Sequence, residues 1–443
     1  MRQAIPIDVP PARVSIFANR EFRLLFGGSS VSAIGDQFTL VALPWLVLKL
    51  TGDPAALGAV LAVMAFPRAV FMLVGGAVVD RMSPRRVLLG ARAVNAACIV
   101  ILAALVLDGG IHMWMIYVLA LGIGVSTAFA YPAGSAILPQ LVQPGQLRPA
   151  NAAFMGMRQL SLIVGPTLAG FVIAIGAHHP AAGALPDAEG LGLAFSIDAV
   201  SFLFSLASLV LIRIPGDTQP AATRGGIFAS IATGVRSVWA DVPLRAFVLY
   251  AGFVSVFVGG PVQVGLPVLA DTRLNLGAAS LGILMTANGA GMFIGSFLSG
   301  LGTRLARGRL GIMVLCFDCL VGAVFAGLAL VHTTRDGALL LLGVGLLEGI
   351  VQIAIFTWIQ QRVPQAMMGR TMSILMFTFM GLGPLSAAAA GALLKVVSLA
   401  GLFAAAGLTL TLIALLCLAS PQLRSIRTAE PRPAGSPGQS GSL

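Results

Sequence analysis

Charge is scarce in this chain: only 10% of its 443 residues are Asp, Glu, Lys or Arg, while 58% are hydrophobic. One water-soluble globule needs more polar surface than that, so the composition excludes the ordinary soluble classes. Lysine is nearly missing, with Lys49 and Lys395 followed by Leu50 and Val396. A phosphate-binding loop of the G-x-x-x-x-G-K-[ST] kind needs Lys followed by Ser or Thr, and no such ATPase site exists here. The four histidines, His112, His178, His179 and His332, are never followed by Glu, which excludes an H-E-x-x-H zinc protease. The adjacent His178 and His179 read as a solvated loop pair, and Cys316 and Cys319 as small packing residues within an apolar run. With Cys98 and Cys417 in apolar runs as well, no disulfide framework is implied. No enzyme activity, metal site or cofactor is expected.

What fills the chain is twelve apolar segments, each long enough to cross a bilayer. They run from Phe22 to Leu48, Ala55 to Val79, Val87 to Leu107, Met113 to Leu138, Asn151 to Ala177 and Leu193 to Ile212, and then from Leu244 to Ala270, Ser280 to Thr303, Leu310 to Val331, Gly337 to Ile359, Thr371 to Leu394 and Leu399 to Leu418. At about 1.5 Å per residue, roughly 20 residues cover a hydrocarbon core of about 30 Å. Helices are expected, because a helix satisfies its own backbone donors and acceptors where water is missing.

The cations are distributed unevenly. Most arginines fall at the amino terminus, in the loops after even-numbered spans or in the tail, whereas Lys49, Arg273, Arg335 and Lys395 fall on the other side. The positive-inside rule then places both termini of this multi-pass membrane protein in the cytoplasm. The net charge of +11 largely reflects this asymmetry and does not call for a nucleic-acid partner. The first residues, with Pro6, Asp8, Pro10 and Pro11, contain no apolar core of a cleavable signal peptide.

The sequence also repeats itself. Leu43-Pro44 recurs as Leu266-Pro267, Leu57-Gly58 as Leu281-Gly282, and Gly165-Pro166 as Gly383-Pro384. Each half holds an even number of spans, so the copies share one topology about an axis along the membrane normal. The expected organisation is an all-α membrane protein of two six-helix bundles, at 1–213 and 244–420. A cytoplasmic linker at 214–243, marked by Pro215, Gly216, Pro220, Gly225 and Gly226, joins them, and a disordered Pro/Gly/Ser-rich tail occupies 421–443.

Between spans two and three stand Gly76, Asp80-Arg81 and Arg85-Arg86, which resemble the G-x-x-x-D-R-x-G-R-R signature of the major facilitator superfamily of secondary transporters, with Ser83 and Pro84 departing from it. A degenerate copy surrounds Gly300, Arg304, Arg307 and Arg309. Gly165-Pro166-Thr167-Leu168-Ala169-Gly170 is similar to the antiporter motif of that superfamily, echoed by Gly383-Pro384. Tyr131-Pro132-Ala133, Leu138-Pro139, Ala150-Asn151-Ala152, Val363-Pro364 and Gly369-Arg370 resemble the branch of macrolide and enterobactin exporters. A packing kink is the alternative to the antiporter reading of each Gly-Pro.

The resemblance implies export of an amphipathic small molecule, a drug or siderophore-like metabolite, across the bacterial inner membrane by proton antiport, in a monomer whose partners are substrate, protons and lipid. It also implies that the acidic residue after span two, Asp80, docks at the start of span eleven near Thr371, with Arg370 beside it. Many proton-driven relatives carry an Arg four residues before a Gly in span four, where this chain has Val118 before Gly122. The charges within the spans are therefore candidates for coupling: Asp36, Arg68 and Glu348. Each costs roughly 2.5 to 3.5 kcal/mol at mid-membrane and calls for a partner or a task. A static Asp36–Arg68 ion pair is the alternative, and Asp198 and Asp318, on spans that are peripheral in the family, read as structural. Two other functions fit the sequence: a lipid or lysophospholipid flippase on the same fold, and a membrane receptor or structural protein without turnover.

Overall fold

The computed structural model describes residues 15–176, 187–213, 227–305 and 308–427. All regular structure among them is helical. The first half contains α1 (Arg20–Thr51), α2 (Pro54–Arg81), α3 (Pro84–Leu107), α4 (Met113–Leu141), α5 (Leu147–Ile175) and α6 (Ala188–Leu211). After α7 (Ile227–Ala240) come α8 (Val242–Gly260), α9 (Leu266–Thr272), α10 (Ala278–Leu305), α11 (Leu310–Leu328) and α12 (Thr334–Arg362). The chain closes with α13 (Gln365–Gly381), α14 (Gly383–Leu393), α15 (Leu399–Leu418) and α16 (Pro421–Arg424). Twelve stretches are long and apolar enough to cross a membrane, matching the twelve expected spans with ends shifted by a few residues.

Helix ends follow local chemistry. Asn19 opens α1 by accepting the Glu21 and Phe22 amides at 2.9 and 3.2 Å, and Gly52 ends it in the left-handed region at φ 62°. Span seven is interrupted: α8 passes through a π turn at Pro261–Gly265 into α9. The interruption is stitched from another helix, because the Gly260 amide donates to Ser386 Oγ at 2.6 Å and that hydroxyl donates to the Val256 carbonyl. A side chain inserted into the helical hydrogen-bond ladder in this way is a recognised cause of a bend. Span eleven is likewise broken, at Leu382, between α13 and α14.

Within the first half α1 packs on α5 and α6, α2 on α4, and α3 on α4 and α6; within the second, α10 packs on α12, α11 on α15, and α14 on α8. The halves meet where α5 lies against α10 and α2 against α14. The repeated glycines sit at these two seams. A methyl on Gly58 of α2 would meet the Ala387 carbonyl oxygen of α14 at 2.5 Å, and one on Gly282 of α10 would run into the Pro166 carbonyl of α5. The two echoes are one contact made twice, as a parallel repeat requires.

The buried apolar side chains divide by height. At the end of the bundle opposite the described termini, one cluster takes side chains from both halves, among them Leu43, Trp45, Leu57, Ala169, Leu266, Ala278, Leu281 and Ala387. At the end carrying the termini the clusters are separate. One, with Phe22, Leu88, Ile137 and Leu209, belongs to the first half, and one, with Phe247, Leu310, Trp358 and Leu375, to the second. Among the described residues the apolar core thus joins the halves at the opposite end alone.

Two expectations need correcting. The linker contains a helix, α7, whose Val238 is fully buried and which packs on α13 and α8. The glycines and prolines that mark the linker all precede Ile227, where apolar helix formers take over. The tail does not leave the fold at 421 either: α16 follows, Leu423 and Ile426 are buried, and the Gly311 amide donates to the Ile426 carbonyl at 3.0 Å. Residues 428–443 lie outside the described residues.

Candidate functional site

The charged side chains within the spans form two groups, one in each half. In the first, Asp36 stands midway along α1 and is exposed. The cation acting on it is Arg92 of α3, whose guanidinium also donates to Ser29 Oγ of α1 at 3.0 Å. Asp198 of α6 is the neighbouring carboxylate. It is fully buried, accepting from Thr39 Oγ1 at 2.5 Å, with Ser201 Oγ at 3.2 Å. Gly35 makes this juxtaposition possible, since a methyl there would come within 2.6 Å of Asp198 Oδ1 and would overlap the Ser201 hydroxyl.

The expected pairing of Asp36 with Arg68 is not what the structure brings together. Arg68 is half-buried on α2 with no hydrogen bond or ion pair among the described residues, and Arg92 is the cation that acts on Asp36. Arg92 lies five residues inside the third expected span, so its position alone could have placed it with the intramembrane charges. Adjacency to the basic loop of Arg85 and Arg86 masked it.

In the second half Glu348 of α12 is half-buried, with Asn288 Nδ2 of α10 at 3.4 Å from Oε2, and Asp318 of α11 is the charge nearby. Asp318 accepts from Tyr250 Oη of α8 at 2.5 Å. Asp198 and Asp318, read from sequence as structural, therefore belong to the same two groups as Asp36 and Glu348. The first group contains a guanidinium; no cation acts on the second among the described residues.

The signature between spans two and three is visible in part. Arg85 and Arg86 occupy the first turn of α3, and Arg85 Nη2 donates to the Val210 carbonyl at the end of α6 at 2.9 Å. The side chains of Gly76, Asp80, Arg81 and Arg370 lie outside the described residues, so the expected docking of Asp80 does too. Thr371 is fully buried, and its hydroxyl has no partner among the described residues.

The antiporter-like motif forms the seam between α5, α1 and α10. A methyl on Gly165 would overlap Gln37 of α1, and one on Gly170 would meet the Ala278 carbonyl at 2.5 Å. Thr167 Oγ1 lies 2.7 Å from Thr286 Oγ1 of α10. In the echo, Gly383 faces Gln263, whose Nε2 would lie 3.3 Å from a methyl added to that glycine, and Pro384 opens α14. At the opposite end two ion pairs bridge the halves: Lys49 to Asp271 at 2.7 Å and Lys395 to Asp53 at 3.1 Å. Both of the chain's lysines are used there, which the sequence did not announce.

Twelve spans, repeated glycines at both seams and a signature loop after the second span are the marks of one transporter family, and the family model described as Major Facilitator Superfamily matches residues 25–388. The chain belongs to the Major Facilitator Superfamily. Within this superfamily it is similar to the multidrug efflux pump Tap of Mycobacterium tuberculosis, at 26% identity over 94% of this chain and 97% of that protein. It is similar to the enterobactin exporter EntS of Escherichia coli O157:H7 at 25% identity, covering 94% and 96%. Macrolide efflux protein A of Streptococcus pyogenes matches at 24%, covering 63% and 66%. Among solved structures, a peptide transporter POT in complex with sulfate superposes with a TM-score of 0.72 at 13% identity, covering 93% of this chain and 96% of that one, a likeness of fold alone.

Proposed function

We propose that this superfamily member exports an amphipathic small molecule, a drug or siderophore-like metabolite, in exchange for protons. The observation that carries the reading is Asp36: an exposed carboxylate midway along a span, on which the Arg92 guanidinium acts. Such a group exchanges a proton with whichever side of the membrane reaches it, and the intramembrane cost of its charge is roughly 2.5 to 3.5 kcal/mol unless a partner offsets it. The names of the related exporters support the outward direction. One elementary charge moved across 100 mV supplies about 2.3 kcal/mol, enough for roughly a fiftyfold concentration ratio. The uneven arginines support cytoplasmic termini in the inner membrane, and on that orientation the joined apolar core is the closed outer end.

Asp36→Asn is expected to abolish uphill export while leaving the folded protein in the membrane and able to bind substrate. Efflux of a compound panel from cells, with and without an uncoupler, provides the measurement. Wild-type efflux by the variant, or wild-type activity indifferent to the uncoupler, removes proton antiport from this reading. The gate at the terminal end is read as Asp80 against the amino end of α13, where an anion gains roughly 0.3 to 2 kcal/mol from the helix terminus. Asp80→Asn should then increase labelling of cysteines at the inner ends of α2 and α13; unchanged labelling places the gate elsewhere.

A further inference from the structure

We infer that the exchanged proton is held by Asp36 and Asp198 together, with Arg92 acting on Asp36, so that a carboxylate on the sixth span is half of the coupling unit. The inference rests on the proton-antiport reading of Asp36.

The geometry begins at Gly35. Only a residue without a side chain lets α1 approach α6 so closely that Asp198 Oδ1 and the Ser201 hydroxyl fill the space of its missing methyl. The next residue is Asp36, and Thr39, three residues further, lies on a neighbouring position of the same helix face. Thr39 Oγ1 is the atom that donates to Asp198. One turn of α1 thus presents both an open carboxyl and the hydroxyl that contacts the sealed one.

Asp198 is poorly equipped to remain a permanent anion. It is fully buried, and no Lys or Arg forms an ion pair with it among the described residues. A carboxylate has about four acceptor sites, whereas each hydroxyl has one hydrogen to donate. Ser201 Oγ is 2.7 Å from the Asp198 backbone carbonyl and 3.2 Å from the carboxylate, so its hydrogen is claimed by the nearer acceptor. Thr39 remains as the one committed donor. An anion buried with a single hydroxyl is costly, and a bound proton removes that cost.

Charge balance leads to the same place. Other charged side chains on the packed elements, Arg68 of α2 and Arg158 of α5, share no hydrogen bond or ion pair with either carboxyl among the described residues, and α4 has no charged residue from Met113 to Leu141. The group therefore holds two carboxyls and the one guanidinium that acts on Asp36, and one proton on the pair makes it neutral. In the exchange, that proton leaves the Asp36 or Asp198 oxygen for water at the open surface of Asp36, and the pair reverts to two carboxylates until a proton from the other side replaces it. Asp36 is the accessible member; Asp198 is the store behind it.

The test needs no substrate. The infrared band of protonated carboxyl groups is recorded for the full chain in lipid at pH 7, as differences between wild type and Asp36→Asn, Asp198→Asn and Thr39→Val. Asp198→Asn should lose the band, because the surviving Asp36 carboxylate is balanced by Arg92, whereas Asp36→Asn, which leaves Asp198 buried without an ion pair, should keep it at a changed wavenumber. Thr39→Val, which keeps both carboxyls but removes the donor from Asp198, should move the band to higher wavenumber and serves if Asp198→Asn does not fold. Uphill export should be lost in both Asp→Asn variants. The inference is overturned if Asp198→Asn keeps the band or keeps wild-type coupling, or if Thr39→Val leaves the band at its wild-type wavenumber. Retained uphill export in Asp36→Asn would instead remove the antiport reading itself, so the two failures are separable.

Discussion

Neutralising both lysines is the perturbation that best isolates what keeps the opposite end closed. The Lys49–Asp271 pair is 2.7 Å long with its side chains 26% and 23% exposed, while Lys395–Asp53 is 3.1 Å long and 57% and 37% exposed. Pairs of this kind contribute about 0.2 to 1 kcal/mol, the better-shielded one toward the upper end. The Lys49 ammonium also lies 4.8 Å from the Trp45 ring, but both residues belong to α1, so that contact persists in either state and does not bias closure. Together the ion pairs stabilise closure by about 1 kcal/mol, which corresponds to about a fivefold change in population. In a background with Cys98, Cys316, Cys319 and Cys417 replaced by Ala, a cysteine at Ala388, opposite Gly58, reports opening by its maleimide labelling rate. Lys49→Gln with Lys395→Gln should raise that rate about fivefold, less in high salt, and the exchange of Lys49→Asp with Asp271→Lys should restore it for that pair. An unchanged rate in the double variant, or no recovery on exchange, refutes the reasoning. The pH response is also specified. The Ala55 amide, and after it Lys395, hold the Asp53 carboxyl below its ordinary 3.8. Its contribution is therefore complete above about pH 5 and fades only as pH falls through that depressed value, leaving labelling flat across the neutral range.

Two further outcomes test the packing. Gly282→Leu puts a branched side chain against the Pro166 carbonyl and Gly170, and such overpacking costs about 1 to 3 kcal/mol in the closed arrangement; the Ala388 labelling rate should rise about fivefold or more, and a parental rate would show that α5 and α10 close without that contact. Ser386→Ala leaves the Gly260 amide without its acceptor, at about 1 to 3 kcal/mol; the thermal unfolding midpoint of the purified protein should fall, and an unmoved midpoint would show that the interruption of span seven does not depend on Ser386.

By itself the sequence determined the class, the number of spans and the twofold plan. These depend on solvent: a run of about 20 apolar residues is helical and membrane-spanning whatever lies beside it, because the bilayer leaves the backbone no other partner. The repeated glycines were legible as repeats, since the same small residue is required wherever the same backbone approach occurs. It also located Asp36 and Glu348, because a carboxylate within an apolar run is conspicuous without any neighbour. Only the tertiary structure decided what those charges face. Arg92 rather than Arg68 acts on Asp36, Asp198 joins Asp36 across the Gly35 contact, and Asp318 joins Glu348. It likewise brought both lysines to acids of the opposing half, Lys49 to Asp271 and Lys395 to Asp53, and placed Ser386 in the gap of a helix more than a hundred residues away. The reason is physical: hydropathy is a property of each segment against the lipid, whereas partnership depends on how helices are rotated and placed against one another. That rotation is set by side-chain packing summed over many contacts, none of which a single segment records.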